Sequence, residues 1–310
     1  MKLRDLLNII DRISKQNRFP EPMICGGTVR DKVLNRLDRL SDIDITNGSI
    51  DIHKLAIKTI NELKEQYSIK VKRFDDGHIS LWLGSGKNTL KIDFSSFFIL
   101  PHIDTYLQNL GIKKPTSIER EQFSRDFTIN TLLMTLDLKT IKDPTHKGIK
   151  DIEQKIIRTC LDPDTTFRHN TNRIIRTIYL ASKLDFDVDP GIIKWISENK
   201  AFLQHSSQQY VSRYIDKALD KNPERAIWLI EKTNLWDAIP ITEKLYPYFA
   251  KKSVKEAQLK RNFDYGEGMY SAMNEGKVKS VSEFRKKRRK KRKKILDGIK
   301  KMHLVQEKAK

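Results

Sequence analysis

Residues 26–46 read GGTVRDKVLNRLDRLSDIDIT. The apolar triplet Met23-Ile24-Cys25 in front of them suits a strand, the glycine pair a tight turn, TVRDKVLNR a helix and SDIDIT an alternating strand. Residues two apart on a strand project from one face, so Asp42 and Asp44 present two carboxylates about 7 Å apart along the chain. Such hard oxygen donors can share divalent cations. A third carboxylate, Asp93, ends the alternating stretch TLKIDF at 89–94. If that strand lies beside SDIDIT, three acidic groups converge on one patch, the requirement for two Mg²⁺ ions serving an in-line phosphoryl displacement. Upstream, Gly26 and Gly27 let the backbone approach a phosphate, the following helix start offers unpaired N–H groups, and Arg30 adds a cation. An Asp-x-Asp pair or a glycine pair alone occurs on many ordinary strands and turns; the succession of the two carries the reading.

Working outward, MKLRDLLNIIDRISKQ spaces Leu3, Leu6, Leu7, Ile10 and Ile13 as a core-facing helix rather than a signal peptide. A helix is predicted from about 50 to 65, then strands at 69–74, 78–83 and 89–94, the last two forming a hairpin around GSGKN. LGSGKNT at 83–89 fails as a phosphate loop of the Walker type because Asn88 stands where Ser or Thr should follow Lys87. Residues 104–116 are weakly patterned and read as a loop, and SIEREQFSRDFTINTLLMTL as one helix starting at a Ser117 cap. Beyond Asp143-Pro144 the pattern is wholly helical. The fold class is therefore α+β, with a head at 1–145, a helical neck and body at 146–250 that binds RNA, and a polar to basic tail at 251–310.

Sixty Lys and Arg against forty Asp and Glu give the 310-residue chain a net charge of +20, which points to a polyanionic partner such as nucleic acid. The charge is uneven: Lys277 to Lys310 hold sixteen basic and three acidic residues, including the unbroken run Arg285 to Lys294. Within it Arg285, Lys286, Lys287, Arg288, Arg289, Lys290, Lys291 and Arg292 are candidate RNA contacts, with a localisation signal as the competing reading. No stretch approaches the roughly 18 apolar residues of a membrane span, so a membrane protein is excluded and a cytoplasmic location expected. Cys25 and Cys160 lie far apart without metal-ligand spacing and read as buried thiols.

GGTVRDKVLNRLDRLSDIDIT resembles the motif GGxVRDxLLGxxxxDxDxxT of class II tRNA nucleotidyltransferases and bacterial-type poly(A) polymerases. SRDFTIN at 124–130 is similar to the family's RRDFTIN. IKDPTHKGIKDIEQKIIRT at 141–159 resembles DP..GG..DL..K.IRT, and FRHNTNRIIRTIYLASKLDF at 167–186 resembles FxEDPxRxLRAxRFAAxLGF. Four motifs in family order, with weaker similarity through VSRYIDKAL to WLIEKTNLWDAIP, cover roughly residues 20 to 240.

The resemblance implies a polymerase-β-like nucleotidyltransferase head with a five-stranded mixed sheet, followed by a curved helical RNA-binding region. It implies template-independent addition of nucleotides to the tRNA 3′ end, as CCA or part of it, from ATP and CTP, with two Mg²⁺ ions and release of pyrophosphate. Poly(A) addition is the alternative activity, and an inactive RNA-binding homologue the second. By position, Asp42, Asp44 and Asp93 are the catalytic carboxylates, the first two holding metal. Gly26, Gly27 and Arg30 face the triphosphate, and Arg125, Asp126 and Asn130 sit near ribose and phosphates. Arg173 helps to select the base, while Arg176 either joins it or ties neck to head. His169 and Asn170 stand in place of the family's Glu-Asp pair, which reads the base edges of ATP and CTP, so the nucleotide specificity is open. Ser124 replaces an arginine that could contact the triphosphate.

Overall fold

A computed structural model describes residues 2–36, 42–75, 77–84, 86, 89–95 and 98–252. The basic run from Arg285 to Arg292 and most of the expected tail lie outside the described residues. The chain divides after Leu245, with Met1–Leu245 forming one unit; of the second, from Tyr246, residues 246–252 are described and are helical.

Alternation builds the head. In β2 (Asp42–Thr46) Ile43 and Ile45 are buried, and in β5 (Leu90–Phe94) Leu90, Ile92 and Phe94 are buried, so Asp42, Asp44, Lys91 and Asp93 fall on the opposite face. Helix α1 (Leu3–Gln16) packs Leu6, Leu7, Ile10 and Ile13 against α3 (Asp51–Lys64), and α3 covers the apolar face of β5 and of β4 (Ile79–Leu83). Each such side chain taken fully out of water contributes about 1.5–3 kcal/mol. The sheet also contains β1 (Met23–Cys25), β3 (Ile69–Arg73), β6 (Leu133–Thr135) and β7 (Ile141–Lys142), in the order β3-β4-β5-β2-β1-β6-β7. Only the β2–β5 pair is parallel. The sheet thus has seven described strands rather than five.

Of the two extra strands, β6 comes from a stretch read as helix and β7 lies just beyond it. Helix α5 (Ser117–Phe123) is capped by Thr116, whose hydroxyl accepts from the Glu119 amide while its own amide donates to Glu119, and it stops at Ser124. The chain then makes a 3₁₀ turn (Thr128–Asn130), and Leu133 pairs with Cys25 as β6. Leu132, Leu133 and Met134 are all buried, and an apolar run of that kind fits an interior strand as well as a buried helix; sheet pairing decides it. The expected loop at 104–116 contains α4 (Ile103–Asn109), held by Ile103 and Leu107 against Leu100, Phe123 and Leu161.

From 145 to 252 the chain is mainly but not wholly helical. Helix α6 (Gly148–Glu153) ends before Lys155, which sits at φ 54°, and Ile156–Ile157 (β8) pairs in parallel with Asp187–Val188 (β9). A Cβ on Gly148 would lie 2.7 Å from the Thr128 carbonyl oxygen, so only glycine lets α6 start against the 3₁₀ turn. Pro163–His169 (α7) and Asn172–Leu184 (α8) follow. Helix α8 buries Ile174, Ile175, Ile178, Ala181 and Leu184, and packs on α10 (Gln208–Lys221) and α11 (Pro223–Lys232); α9 (Pro190–Asn199) lies against α7.

Candidate active site

One row of registered residues crosses the sheet: Cys25 on β1 opposite Asp44 on β2, Asp44 beside Asp93 on β5, and Asp93 opposite Ser80 on β4. Registered neighbours share a face, so two carboxylates stand side by side with Asp42 one step along β2. Asp44 makes no ion pair among the described residues. Burial first, and then the charges of Asp93 and Asp42, push its pKa up to about 6 despite the opposing pull of Arg125. The Ser80 hydroxyl donates to Asp93 Oδ1 at 2.5 Å, and the Lys91 ammonium bonds Asp93 Oδ2 and lies 3.2 Å from Asp42 Oδ1. Burial would lower the Lys91 pKa, but its bonds to these two carboxylates outweigh that and hold it raised.

The glycine turn closes one side of this row. Gly26 sits at φ 74°, and a Cβ there would lie 3.1 Å from Asp44 Oδ2 and 3.6 Å from an Arg125 guanidinium nitrogen. A larger residue would strain the turn and crowd the carboxylate. Arg125 donates to Cys25 Sγ at 3.2 Å and to Glu121 Oε1 at 3.1 Å, and Thr46 donates to the other oxygen of buried Glu121 at 2.5 Å. Burial would lower the Arg125 pKa; the neighbouring Cys25, Glu121 and Asp44 hold it raised, so it stays a cation. Burial pushes the Cys25 thiol up to about 12, which leaves it unreactive.

Asp44, Asp93, Ser95 and Arg125 open on a cleft of about 360 Å³ whose far wall is Phe98, Ser124 and Arg173. Ser95 Oγ and Arg125 Nε are buried there without a hydrogen-bond partner among the described residues. Unmet polar atoms of this kind suit a polar ligand, since leaving them dry costs about 1–3 kcal/mol each. The three carboxylates likewise fit a hard divalent cation: all are oxygen donors, and Asp44 is desolvated without a direct ion pair among the described residues. Among the described residues no three His, Cys, Asp or Glu side chains are gathered closely enough to hold a metal as they stand, and Lys91 stands between two of the three carboxylates.

The other sequence candidates sit elsewhere. Arg30 does not face the cleft as a free cation: it is 3% exposed, donating to Asn130 Oδ1 at 2.6 Å and to its neighbour Asp31 at 2.8 Å. Gly27 packs over the same guanidinium. Asn130 donates to Asp126 Oδ1 at 3.0 Å, and Asp126 Oδ2 accepts from Arg176 at 2.8 and 2.6 Å. Burial would raise the Asp126 pKa, but Arg176, Arg173 and the Asn130 bond hold it well below the ordinary carboxylate range. Arg176 is thereby a neck-to-head ion pair. Arg173 is buried and donates to the Ser124 carbonyl at 2.7 Å, so it reaches the cleft as a wall fixed in place. His169 is exposed, its ring 5.2 Å from Phe98, with its pKa lowered by burial and then by Arg173, so it is neutral at pH 7. Asn170 Oδ1 accepts from the Asn172 amide at 3.1 Å.

Sequence reasoning passed over Lys91, Glu121, Ser95 and Phe98. Glu121 stands four residues before Arg125 and Lys91 two before Asp93, spacings that place each pair on one face of a helix or strand. Phe98 carries no comparable signal.

The sequence profile of the Poly A polymerase head domain matches residues 23–158. The tRNA nucleotidyltransferase cca2 of Schizosaccharomyces pombe is 25% identical over 87% of this chain and 57% of its own length. The CCA-adding enzyme of Bacillus subtilis is 27% identical over 74% of this chain and 57% of its own. The chain therefore spans a little over half the length of these relatives. The Bacillus stearothermophilus CCA-adding enzyme solved with CTP superposes with a TM-score of 0.58 at 23% identity, covering 77% of this chain and 55% of that one, which shows the fold. The Poly A polymerase head profile lies on the strands that carry Asp42, Asp44 and Asp93, and over this region and the helices that follow the chain is similar to tRNA nucleotidyltransferases and CCA-adding enzymes.

Proposed function

We propose that the chain is a nucleotidyltransferase that extends the 3′ end of tRNA, adding CCA or part of it without a template from CTP and ATP. The observation that carries this is the desolvated carboxylate Asp44, without a direct ion pair among the described residues and registered against Asp93 at a cleft with unmet polar atoms. Asp42, Asp44 and Asp93 would hold two Mg²⁺ ions, which when bound supply charge neutralisation at the attacking and leaving oxygens. The protein's own residues do the rest. Arg125, fixed by Glu121, offers a guanidinium beside the carboxylates to a triphosphate, and the glycine turn lets it approach closely. The base would enter between Phe98 and the Arg173 wall, with neutral His169 and Asn170 at its edge as donor or acceptor. Arg30, Asp126, Asn130 and Arg176 act as positioning residues that hold neck to head, not as contacts to the nucleotide.

The RNA would lie on a face of α8 and α10 where Tyr179, Tyr210 and Tyr214 alternate with Arg213 and Lys217; the Tyr210 and Tyr214 rings stack at 4.4 Å. Aromatic rings between cations suit single-stranded nucleic acid. No described helix is long and apolar enough to cross a membrane, and we assign the activity to the cytoplasm. The test offers purified protein, Mg²⁺ and labelled tRNA lacking its 3′ end each NTP singly and together. Addition of C and A residues is expected; failure to extend any RNA overturns the proposal, and processive addition of A alone replaces it with poly(A) synthesis.

A further inference from the structure

We propose that Lys91 is a displaceable internal counter-ion, occupying the cation position between Asp42 and Asp93 and competing there with divalent metal. The inference rests on the reading of these carboxylates as the metal-holding set. Parallel pairing of β2 with β5 puts Asp42 beside Lys91 and Asp44 beside Asp93, so the lysine lies on the carboxylate face by register alone. Its ammonium bonds Asp93 Oδ2 and lies 3.2 Å from Asp42 Oδ1. No other cation of the described residues pairs with either carboxylate. Three like charges on adjacent strands repel, and in the metal-free chain Lys91 offsets that repulsion at two of them.

Its chemistry makes the arrangement reversible. An ammonium on a flexible four-carbon stem is strongly hydrated and forms no fixed bidentate pair, so it leaves a carboxylate more readily than a guanidinium does. The Lys91 side chain is 29% exposed and the Asp42 side chain 70% exposed, which gives the displaced ammonium direct access to water. A divalent ion brings twice the charge to the same oxygens. Lys91 thereby lowers metal affinity while keeping the strands paired before metal arrives.

The measurement is Mn²⁺ binding to the full chain without nucleotide, followed by the loss of the free-ion signal in electron paramagnetic resonance. Lys91→Met, which keeps the stem and removes the charge, should bind Mn²⁺ about tenfold more tightly. Lys91→Arg should bind no more tightly than the unmodified chain. Equal or weaker binding by Lys91→Met overturns the proposal. Asp44→Asn keeps the two failures apart: if it loses Mn²⁺ binding the metal-holding set stands, and unchanged binding by Lys91→Met then refutes the Lys91 role alone, whereas retained binding by Asp44→Asn overturns the set itself. Should Lys91→Met not fold, acylation of lysines in the unmodified chain gives the answer. Lys91 should be protected without metal and become reactive at saturating Mg²⁺, and unchanged protection refutes displacement.

Discussion

Asp44 and Asp126 are both aspartates in the interior of one compact unit, each near arginine, and their surroundings treat them in opposite ways. Asp126 receives Arg176 through two bonds, Asn130 through one and its own chain through the Phe127 amide, and its pKa is driven down. Asp44 is desolvated and faces two other carboxylates, and against the pull of Arg125 its pKa is driven up to about 6. A satisfied carboxylate cements structure and has nothing left to offer a ligand. An unsatisfied one costs stability, which persists only where the deficit is itself useful. By this criterion the two motifs that the sequence presents as parts of one site divide, in the function proposed here, into a ligand-facing half, the DID strand with Arg125, and a structural half, Asp126 to Asn130.

The largest effect that tests this division is on catalysis. Asp44→Ala is expected to lower nucleotide addition by about a thousandfold or more, because several kcal/mol of charge stabilisation depend on the metal-holding carboxylates. Far-ultraviolet circular dichroism should be unchanged; retained turnover on a tRNA substrate would remove Asp44 from the site. Next in size is the ion pair at the joint. Asp126→Asn removes the buried carboxylate that pairs with the one-third-exposed Arg176 and should reduce unfolding free energy by about 1–3 kcal/mol in urea titrations. Stability equal to that of the parent chain would show the pair to be dispensable.

Third, the two aspartates should give opposite slopes of stability against pH. The folded Asp44 binds its proton more tightly than the unfolded one, so metal-free stability declines as pH rises through roughly 4 to 6, by about 2 to 3 kcal/mol. Asp126 does the reverse: its contribution is present above the ordinary carboxylate range and is lost as pH falls below it. Chemical denaturation across pH in Asp44→Asn should lose the first slope and keep the second. The smallest effect concerns the base edge. Replacing His169 by Glu together with Asn170 by Asp restores charged acceptors for base amines, worth about 1 kcal/mol over neutral ones, and should sharpen selection of CTP and ATP over UTP and GTP about fivefold. Unchanged misincorporation would place base selection with Phe98 and Arg173 alone.

How far the sequence reaches follows the same line. The strand, glycine turn, helix and strand of residues 23–46 and the alternation in 79–83 and 90–94 are local patterns, and the structure has them where they are read. Residues 117–135 mislead because an apolar run such as Leu132 to Met134 carries no period; its strand exists only because Cys25 is there to pair with it. Arg30, Arg173 and Arg176 look alike in sequence as cations awaiting phosphate. Whether each is free depends on Asn130, the Ser124 carbonyl and Asp126, partners between 49 and 100 residues away. Lys91 is hidden for the related reason that a lysine on a strand is ordinarily a solvated side chain, and only the parallel register sets it among acids.

The contact at Gly148 bears on how the molecule moves. With the backbone of α6 resting on the Thr128 carbonyl, the joint between the sheet and the helices has no slack in which one part could slide over the other. The turn holding Asp126 and Asn130, the start of α6 and the Arg176 pair are geared together, so a shift in any of them must drag the rest. A hinge at this place would have to break all three at once. The spacing between the turn that carries Asp126 and the helix that carries Arg176 is accordingly set when the chain folds.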